Sequence, residues 1–306
     1  MKFTIYQDSR QGGRQNNEDR TTYCYSRDAL LMVTADGMGG HHHGEIAAQI
    51  AVQTFADAFQ SEAQPRIIDP FSFLQQGMSR AHLAILDYVE RHALSESPRT
   101  TCVACLVQDS IAYWAHVGDS RLYLMRNGRI MVQTKDHSRI RLLLEEGLIT
   151  PQQALTHPDR NKIYSCLGSP SVPEIDLSRK TPLERDDIIA LCTDGLWGTI
   201  PGEIIAGKLK EANFLNTLPK IMTQAEKLGG PRGDNLSIVA VRWEDGYVEP
   251  ESSLISTHTM GLSEVTTRLD EFGRNPNYKS ELSEDDIEAA IEEIRAAIDK
   301  FKPGKI

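Results

Sequence analysis

The chain has 306 residues, of which 40% are hydrophobic and 25% charged, with 22 glycines and 14 prolines. These values are typical of a soluble globular protein of one or two domains and exclude collagen-like, disordered and disulfide-scaffold chains. The net charge of −10 argues against a nucleic-acid partner, because phosphates require a basic surface.

The expected location follows from the apolar runs and the cysteines. The longest apolar runs, such as Ala29–Ala35, fall far short of the about 20 residues that span a bilayer. Met1–Asp8 lacks the apolar core of a secretory signal. Five cysteines are an odd number, which argues against a disulfide framework and fits a reducing compartment. We therefore predict a cytoplasmic protein without membrane attachment.

Apolar runs and helical spacing alternate along the first 246 residues. The predicted elements are a strand at Leu30–Thr34, helices at Glu45–Phe59 and Phe71–Leu94, strands at Cys102–Gln108, Ile111–Val117 and Arg121–Met125, a helix at Arg139–Glu146, a strand at Asp187–Cys192, a helix at Asn213–Lys227 and a strand at Leu236–Trp243. Asn127-Gly128 predicts a hairpin turn. This order predicts an α+β protein with a mostly antiparallel sheet or sandwich.

Composition changes near residue 247. The segment Tyr247–Ile306 carries a net charge of −6, and Glu249–Ser280 is rich in Ser, Thr, Asn, Pro and Gly without apolar periodicity. We therefore predict a domain at 1–246, a linker at 247–281 and an acidic amphipathic helix at 282–302.

The predicted terminal helix has a clear start and one apolar face. Ser283 is a candidate N-cap, and isoleucines recur at spacings of four, three and four from Ile287 to Ile298. Two interpretations stay open. The helix packs on the body as an extra layer, or it docks a partner through the flexible linker.

Three strand-like runs end in carboxylates beside small residues, and a fourth carboxylate precedes a strand. These are Asp36, Asp119, Asp194 and Asp234. Brought into one cleft, such charges repel unless divalent cations lie between them, and hard oxygen ligands suit Mg²⁺ or Mn²⁺. The alternative is that each aspartate caps a helix or shapes a turn.

A series of motifs, in order along residues 3 to 243, carries a family resemblance. They are Arg14-Gln15-Asn16-Asn17-Glu18-Asp19, Ala35-Asp36-Gly37-Met38-Gly39-Gly40-His41 with Gly44-Glu45, Thr100-Thr101, Val117-Gly118-Asp119-Ser120-Arg121, Asp136-His137-Ser138, Leu167-Gly168, Thr193-Asp194-Gly195-Leu196 and Gly233-Asp234-Asn235. The chain resembles the metal-dependent, type 2C Ser/Thr protein phosphatases in their bacterial form. The resemblance implies an αββα sandwich of two β-sheets flanked by helix pairs, with the metals at one end.

The resemblance also implies a mechanism and a set of ligands. Two Mn²⁺ or Mg²⁺ ions activate a water that hydrolyses phosphoserine or phosphothreonine in proteins. The implied metal ligands are Asp36, the Gly37 carbonyl, Asp194 and Asp234, with Asp119 and Asp194 at a weaker third ion. Arg14 is the implied phosphate clamp, Glu18 acts through bound water, and Asp19 belongs to the catalytic set. No cysteine nucleophile is needed, and Cys102 and Cys105 are expected in the core.

The roles of several histidines and arginines have alternative interpretations. His41 sits on the family pattern, whereas His42 and His43 either bind a further metal or only belong to a turn. Met38 stands where eukaryotic relatives carry a histidine proposed as general acid, so the identity of the acid is open, with metal-bound water and His41 as candidates. Residues Arg139–Leu167 correspond to the variable flap that lies next to the cleft in the family. Its arginines either contact the phosphopeptide or belong to a solvated face. These are Arg139, Arg141 and Arg160.

Two other function classes compete with the phosphatase. A catalytically weak phosphoprotein-binding module of the same fold is expected to lose metal ligands, and here all are present. A phosphodiesterase or nuclease is disfavoured by the acidic body. The expected partners are phosphoserine and phosphothreonine proteins and a cognate Ser/Thr kinase.

Overall fold

A computed structural model of the chain describes residues 1–38, 43–155, 157–160, 162–211, 213–244, 254–256, 260–261 and 264–269. The strands are β1 (Lys2–Arg10), β2 (Asp19–Tyr25), β3 (Ala29–Met38), β4 (Arg99–Thr100), β5 (Cys102–Gln108), β6 (Ile111–Val117), β7 (Arg121–Arg126), β8 (Arg129–Gln133), β9 (Asp176–Leu177), β10 (Thr181–Pro182), β11 (Ile188–Cys192), β12 (Leu236–Trp243), β13 (Leu254–Ser256) and β14 (Thr266–Leu269). The helices are α1 (Gly44–Glu62), α2 (Pro70–Arg91), α3 (Arg139–Glu145), α4 (Pro151–Leu155), α5 (Asp194–Trp197), α6 (Gly202–Glu211) and α7 (Phe214–Gly229).

Two sheets form the centre of the molecule. The first sheet has the strand order β10-β6-β5-β3-β2-β14, with β4 beside β3 and β9 beside β6, and the second sheet has the order β13-β1-β12-β11-β7-β8. All strand pairs among the described residues are antiparallel. The prediction of an antiparallel sandwich is therefore confirmed.

Three apolar layers hold the sandwich together. In β3, successive side chains point to opposite faces of the sheet and so enter two different layers. Leu30 and Met32 lie between the sheets, against residues such as Ile189 and Val239 of the second sheet. Leu31 and Val33 face the other way and pack in the layer formed with α1 and α2. A third layer joins the second sheet to α6 and α7. The order of layers is helix, sheet, sheet, helix, as the resemblance implied.

The predicted hairpin is confirmed at the β7–β8 connection. Asn127 and Gly128 have φ angles of 51° and 75°. Positive φ at both central residues is the geometry of a type I′ turn, which glycine and asparagine tolerate. Cys102 and Cys105 lie in β5 and are fully buried, as expected for core residues.

The segment predicted as a linker contains two short strands. β13 pairs with β1, and β14 pairs with β2, so each extends one edge of a sheet. No strands were predicted here, because the segment lacks the apolar alternation of a half-buried strand. The domain boundaries stay a prediction, and the helix predicted at 282–302 lies outside the described residues. Within the described residues, no helix is both long and apolar enough to cross a bilayer.

Candidate active site

Four strands from both sheets carry the predicted aspartates to one end of the sandwich. Asp36 lies near the end of β3, and Asp119 follows β6. In the second sheet, Asp194 follows β11 as the first residue of α5, and Asp234 precedes β12. We refer to Asp36, Asp119, Asp194 and Asp234 as the aspartate cluster.

The side chains of the aspartate cluster interact with one another. Burial raises the pKa of Asp36 well above its usual range. Neighbouring carboxylates raise it further, namely those of Asp19, Asp194, Asp119 and Asp234. Burial, followed by the charge of Asp194, raises the pKa of Asp119 to about 8. Burial and Asp234 raise the pKa of Asp194 to about 6, although hydrogen bonding with Asp36 opposes this. Residues far apart in sequence therefore form one electrostatic site.

Two threonines fix the backbone at Asp36. Its N–H donates to Thr101 Oγ1 at 3.0 Å. Its carbonyl accepts from the Thr100 hydroxyl and from the Thr101 N–H, both at 2.9 Å. The Thr101 hydroxyl also lies 2.7 Å from that of Ser120, next to Asp119. The Thr100-Thr101 pair thus links two members of the aspartate cluster.

Asp19 lies beneath the cluster, where it is only 2% exposed. It pairs with Asp36 in the β2–β3 register. Its Oδ2 accepts a hydrogen bond from the Thr193 hydroxyl at 2.7 Å, whereas its buried Oδ1 has no hydrogen-bond partner. Burial raises its pKa to about 7. Asp19 therefore supports the residue that precedes Asp194 and adds a fifth carboxyl group to the buried charge.

Asn235 attaches the loop between β1 and β2 to the second sheet. Its Nδ2 donates to the carbonyls of Gln11 and Asn16 at 2.7 and 2.8 Å. Its Oδ1 accepts from the Glu18 N–H at 2.9 Å. All three hydrogen bonds cross more than 200 residues of sequence. Asn235 thereby holds Glu18 beside the aspartate cluster.

The chain matches a known protein family. Residues 7–227 match the family model of protein phosphatase 2C. The chain belongs to this family. It is 31% identical over 231 residues to the serine/threonine phosphatase stp of Listeria innocua, across 74% of this chain and 90% of that protein.

Solved structures show the same fold. The crystal structure of the Mycobacterium tuberculosis serine/threonine phosphatase PstP/Ppp is similar with a TM-score of 0.69, at 32% identity, over 80% of this chain and all of that one. The catalytic domain of PstP, crystallised with 2 manganese ions, gives a TM-score of 0.67 at 30% identity, over 80% of this chain and 99% of that chain. The resemblance read from the motifs is confirmed.

Glycines allow close approach around Glu18 in this protein phosphatase 2C chain. The Gly37 N–H donates to the Glu18 carbonyl at 3.2 Å. A Cβ at Gly37 would lie 2.2 Å from the Gly44 carbonyl oxygen, and one at Gly44 would lie 2.5 Å from Glu18 Oε2. Burial, and then the charge of Glu45, raise the pKa of Glu18 to about 7. A side chain at Gly44 would therefore displace the Glu18 carboxyl group, and one at Gly37 would collide with the Gly44 backbone.

Arg14 is the exposed cation of the site, with 57% of its side chain accessible. Its Nη2 donates to Asp234 Oδ2 at 2.6 Å. This hydrogen bond and the nearby charges of Asp234, Asp194 and Glu18 raise the pKa of the guanidinium. A positive charge therefore stands at the edge of the aspartate cluster, in direct contact with one of its members.

The other predicted residues are placed as follows. His41 and His42 lie outside the described residues, and His43 directly precedes α1. In the flap, Arg139 pairs with Asp159 at 3.4 Å and Arg141 with Glu145 at 2.8 Å. Both arginines thus have partners within the flap, while their contact with a phosphopeptide stays a prediction.

The donors of the aspartate cluster fit divalent cations. Several carboxyl groups are buried together, and their pKa values are raised because their charges lack compensation. Oxygen donors of this kind suit Mg²⁺ and Mn²⁺. The aspartates were predicted from the sequence, whereas the supporting roles of Thr101, Thr193 and Asn235 were not. The only sign of those roles in the sequence is that the three residues lie within the family motifs.

Proposed function

We propose that the aspartate cluster is the catalytic centre of a metal-dependent protein Ser/Thr phosphatase, which hydrolyses phosphoserine and phosphothreonine in proteins. The convergence of four aspartates from two sheets carries this proposal. Buried carboxylates close to one another are costly to ionise unless cations compensate them. Membership of the protein phosphatase 2C family supplies the reaction class.

We assign the cation ligands as the motifs imply. Asp36 and the Gly37 carbonyl would hold one ion, and Asp36, Asp194 and Asp234 the other. Asp119 would hold a weaker third ion together with Asp194. When bound, the ions would supply an activated water nucleophile and neutralise charge on the phosphate. Glu18, beside the cluster, would orient water there.

Arg14 would bind the phosphate group of the substrate. The guanidinium carries five N–H donors, and its one hydrogen bond to Asp234 uses only part of them. Its exposure at the edge of the cluster leaves it accessible to a phosphorylated side chain. A planar guanidinium can contact two phosphate oxygens at once, which positions the phosphorus atom beside the cluster.

The burial of the cysteines supports a mechanism in which water, and not a thiol, attacks the phosphate group. All five are buried and unpaired. Burial raises the pKa of Cys24 and Cys192 to about 12, so their thiols stay protonated and unreactive. A covalent cysteinyl-phosphate is therefore not part of the proposal. Unpaired thiols also support the proposed reducing, cytoplasmic location.

The alternative, a catalytically weak phosphoprotein-binding module, is not favoured. Such a module needs a phosphate contact such as Arg14 but has no need for a buried set of carboxylates. The proposed partners are phosphoproteins and a cognate Ser/Thr kinase that phosphorylates them. Docking of a partner on the 282–302 segment also stays a proposal.

Phosphate release from a phosphothreonine peptide tests the function. We expect release with Mn²⁺ that stops in excess EDTA and returns when Mn²⁺ is added. Asp194→Asn should be inactive under all three conditions. Asp186→Asn is the matched control, because Asp186 is exposed and its φ of 68° suits asparagine. Binding of the peptide without any Mn²⁺-dependent release would support the binding module.

A further inference from the structure

His137 holds the loop that carries Asp119. Its backbone N–H donates to the Gly118 carbonyl at 2.9 Å. Its ring Nδ1 accepts the Gly118 N–H at 3.3 Å. Gly118 is thus bound on both its N–H and its carbonyl by a single residue. The His137 side chain is 1% exposed, so water does not compete for these contacts.

Gly118 needs this support because its backbone is unusual. Its φ is +97°, and a Cβ at this position would lie 2.6 Å from Thr101 Cγ2. The next residue, Asp119, is held at its carbonyl by Trp197 Nε1 at 3.0 Å. The His137 backbone N–H and the Trp197 side chain therefore fix the peptide groups on the two sides of the Asp119 Cα, and these groups set the direction of its carboxylate. The His137 ring fixes the preceding peptide group, between Val117 and Gly118, through the Gly118 N–H.

His116 and Asp176 lie next to His137 and resemble a metal-binding group, but their hydrogen bonds argue against one. Since His137 Nδ1 accepts a hydrogen bond, the proton of the neutral ring is on Nε2, which lies 3.5 Å from Asp176 Oδ2. His116 Nε2 lies 2.7 Å from the Lys135 carbonyl, so it also carries a proton. The two ring nitrogens nearest Asp176 are therefore both protonated, that of His137 facing the carboxylate and that of His116 directed at the Lys135 carbonyl, so neither offers a lone pair to a cation beside Asp176.

The flap holds the other side of His137. The Tyr164 N–H donates to the His137 carbonyl at 2.9 Å. The two rings stack with their centroids 5.5 Å apart. Ser138 forms a bridge with Ile163. The imidazole is thereby fixed between the base of the flap and the Asp119 loop.

We propose that His137 is a positioning residue that aims the Asp119 carboxylate through Gly118 and so sets the affinity of the weakest cation site. This inference rests on the proposed function, in which Asp119 holds the third ion. His137 itself contacts neither the substrate nor a cation. The contribution of its side chain is the acceptor at Nδ1, which holds the Gly118 N–H and so stops the peptide group between Val117 and Gly118 from turning.

Replacements that put a polar atom at the position of only one of the two ring nitrogens distinguish the role of Nδ1 from a general packing role of the side chain. Asn places Oδ1 near the position of Nδ1 and keeps the acceptor for Gly118. Gln reaches the position of Nε2 and keeps only the contact with Asp176. Calorimetric Mn²⁺ titration should show the weakest site about tenfold weaker in His137→Ala and His137→Gln, and within about threefold of the parent in His137→Asn. The tighter sites should change by less than about twofold in all three.

A matched control is available at His82. Its Nδ1 also accepts a glycine N–H, from Gly168 at 3.1 Å, and Gly168 also has a positive φ of 79°. His82→Ala should lower the melting temperature about as much as His137→Ala does, with Mn²⁺ affinities close to the parent's. Equal weakening of the third site in both variants would make the effect one of general stability and would overturn the proposal.

A double-mutant cycle with Asp119→Asn completes the test. If His137 acts through Asp119, adding His137→Ala to Asp119→Asn changes neither the number of Mn²⁺ ions bound nor kcat by more than about twofold. Additive losses would overturn the positioning role and leave the proposed function intact. An Asp119→Asn variant with parental Mn²⁺ binding would overturn the third site itself, and this inference with it. Rescue by Gln instead of Asn would also contradict the role of Nδ1.

Discussion

Arg14 donates a hydrogen bond from Nη2 to Oδ2 of Asp234 at 2.6 Å. The residue proposed to bind phosphate is thus in contact with a residue proposed to bind a cation. Arg14 also lowers the pKa of Asp194 and Glu18. Its positive charge helps to keep the neighbouring carboxylates ionised, and a bound cation would take over that effect.

Arg14→Ala should therefore separate phosphate binding from cation binding. We expect KM for a phosphopeptide to rise about tenfold and inhibition by inorganic phosphate to weaken, because the guanidinium contact is lost. Mn²⁺ affinity should not fall, since a competing positive charge has been removed. Steady-state kinetics and calorimetry measure the two effects.

Arg66→Ala is the control for this substitution. Arg66 is also an exposed arginine in an ion pair, with Asp109 at 3.1 Å. Its replacement should alter neither measurement. Normal phosphate inhibition of Arg14→Ala together with loss of Mn²⁺ binding would make Arg14 a structural residue.

Neutralising one member of the aspartate cluster should lower the activity without unfolding the protein. We expect Asp36→Asn and Asp194→Asn each to lower kcat/KM at least about 100-fold at saturating Mn²⁺. In EDTA, both variants should melt no lower than the parent, because each substitution removes a buried charge from a repulsive group. Melting by circular dichroism and phosphopeptide turnover test this. Near-parental turnover of Asp194→Asn would show that the site is elsewhere.

The raised pKa values predict how cations and pH act on stability. Burial and mutual repulsion raise the pKa of Asp119 to about 8 and of Asp194 to about 6. A carboxyl group with a raised folded-state pKa binds its proton more tightly in the folded protein. Its contribution is fully present below the unfolded-state pKa, near 4, and is lost as pH rises through the folded-state value. The cation-free protein should therefore lose stability between about pH 4 and 8.

Mn²⁺ should reverse this loss, since it replaces the protons as the compensating charge. The increase in melting temperature on adding Mn²⁺ in excess of EDTA should be larger at pH 8 than at pH 5.5. Scanning calorimetry at the two pH values measures it. An increase that is equal at both values, or larger at pH 5.5, would contradict the assignment of these carboxyl groups to the cation site.

Two truncations test what the terminal segment adds to the body. Thr267 in β14 accepts a hydrogen bond from Gln60 at 2.8 Å and donates one to Cys24 Sγ at 3.3 Å. A chain ending after Leu269 keeps β13 and β14 and should melt within about 2 °C of the full chain. A chain ending after Glu244 exposes both sheet edges and should melt at least about 4 °C lower. Equal melting of the two would show that these strands add no stability.

The apolar strands were readable from the sequence because burial on both faces demands continuous apolar runs. β3, β5 and β12 are examples. β2 was missed although almost all of it is buried, since its first four residues are polar. Thr21 satisfies its hydroxyl through the Val33 carbonyl and Thr34 Oγ1, both at 3.1 Å. Such cross-strand partners become visible only once the strands are paired.

The candidate site was likewise predictable from the sequence only in part. Aspartates at strand ends were identifiable from their local pattern, because strand and turn signals surround each of them. The hydrogen bonds of Thr193 to Asp19 and of Asn235 to the Glu18 loop join residues 174 and 217 positions apart. No local pattern encodes those pairs. The edge strands β13 and β14 were missed for a related reason, since their pairing partners lie at the start of the chain.

The most direct test of the account is the location of Mn²⁺ in crystals of the full chain, from anomalous diffraction at the manganese edge. We expect two strong peaks among Asp36, Asp194 and Asp234, one of them also in contact with the Gly37 carbonyl, and a weaker peak beside Asp119. Crystals of Asp36→Asn should lose the two strong peaks. An aspartate cluster without manganese in a protein that hydrolyses phosphopeptides would contradict the assignment of this site as the catalytic centre.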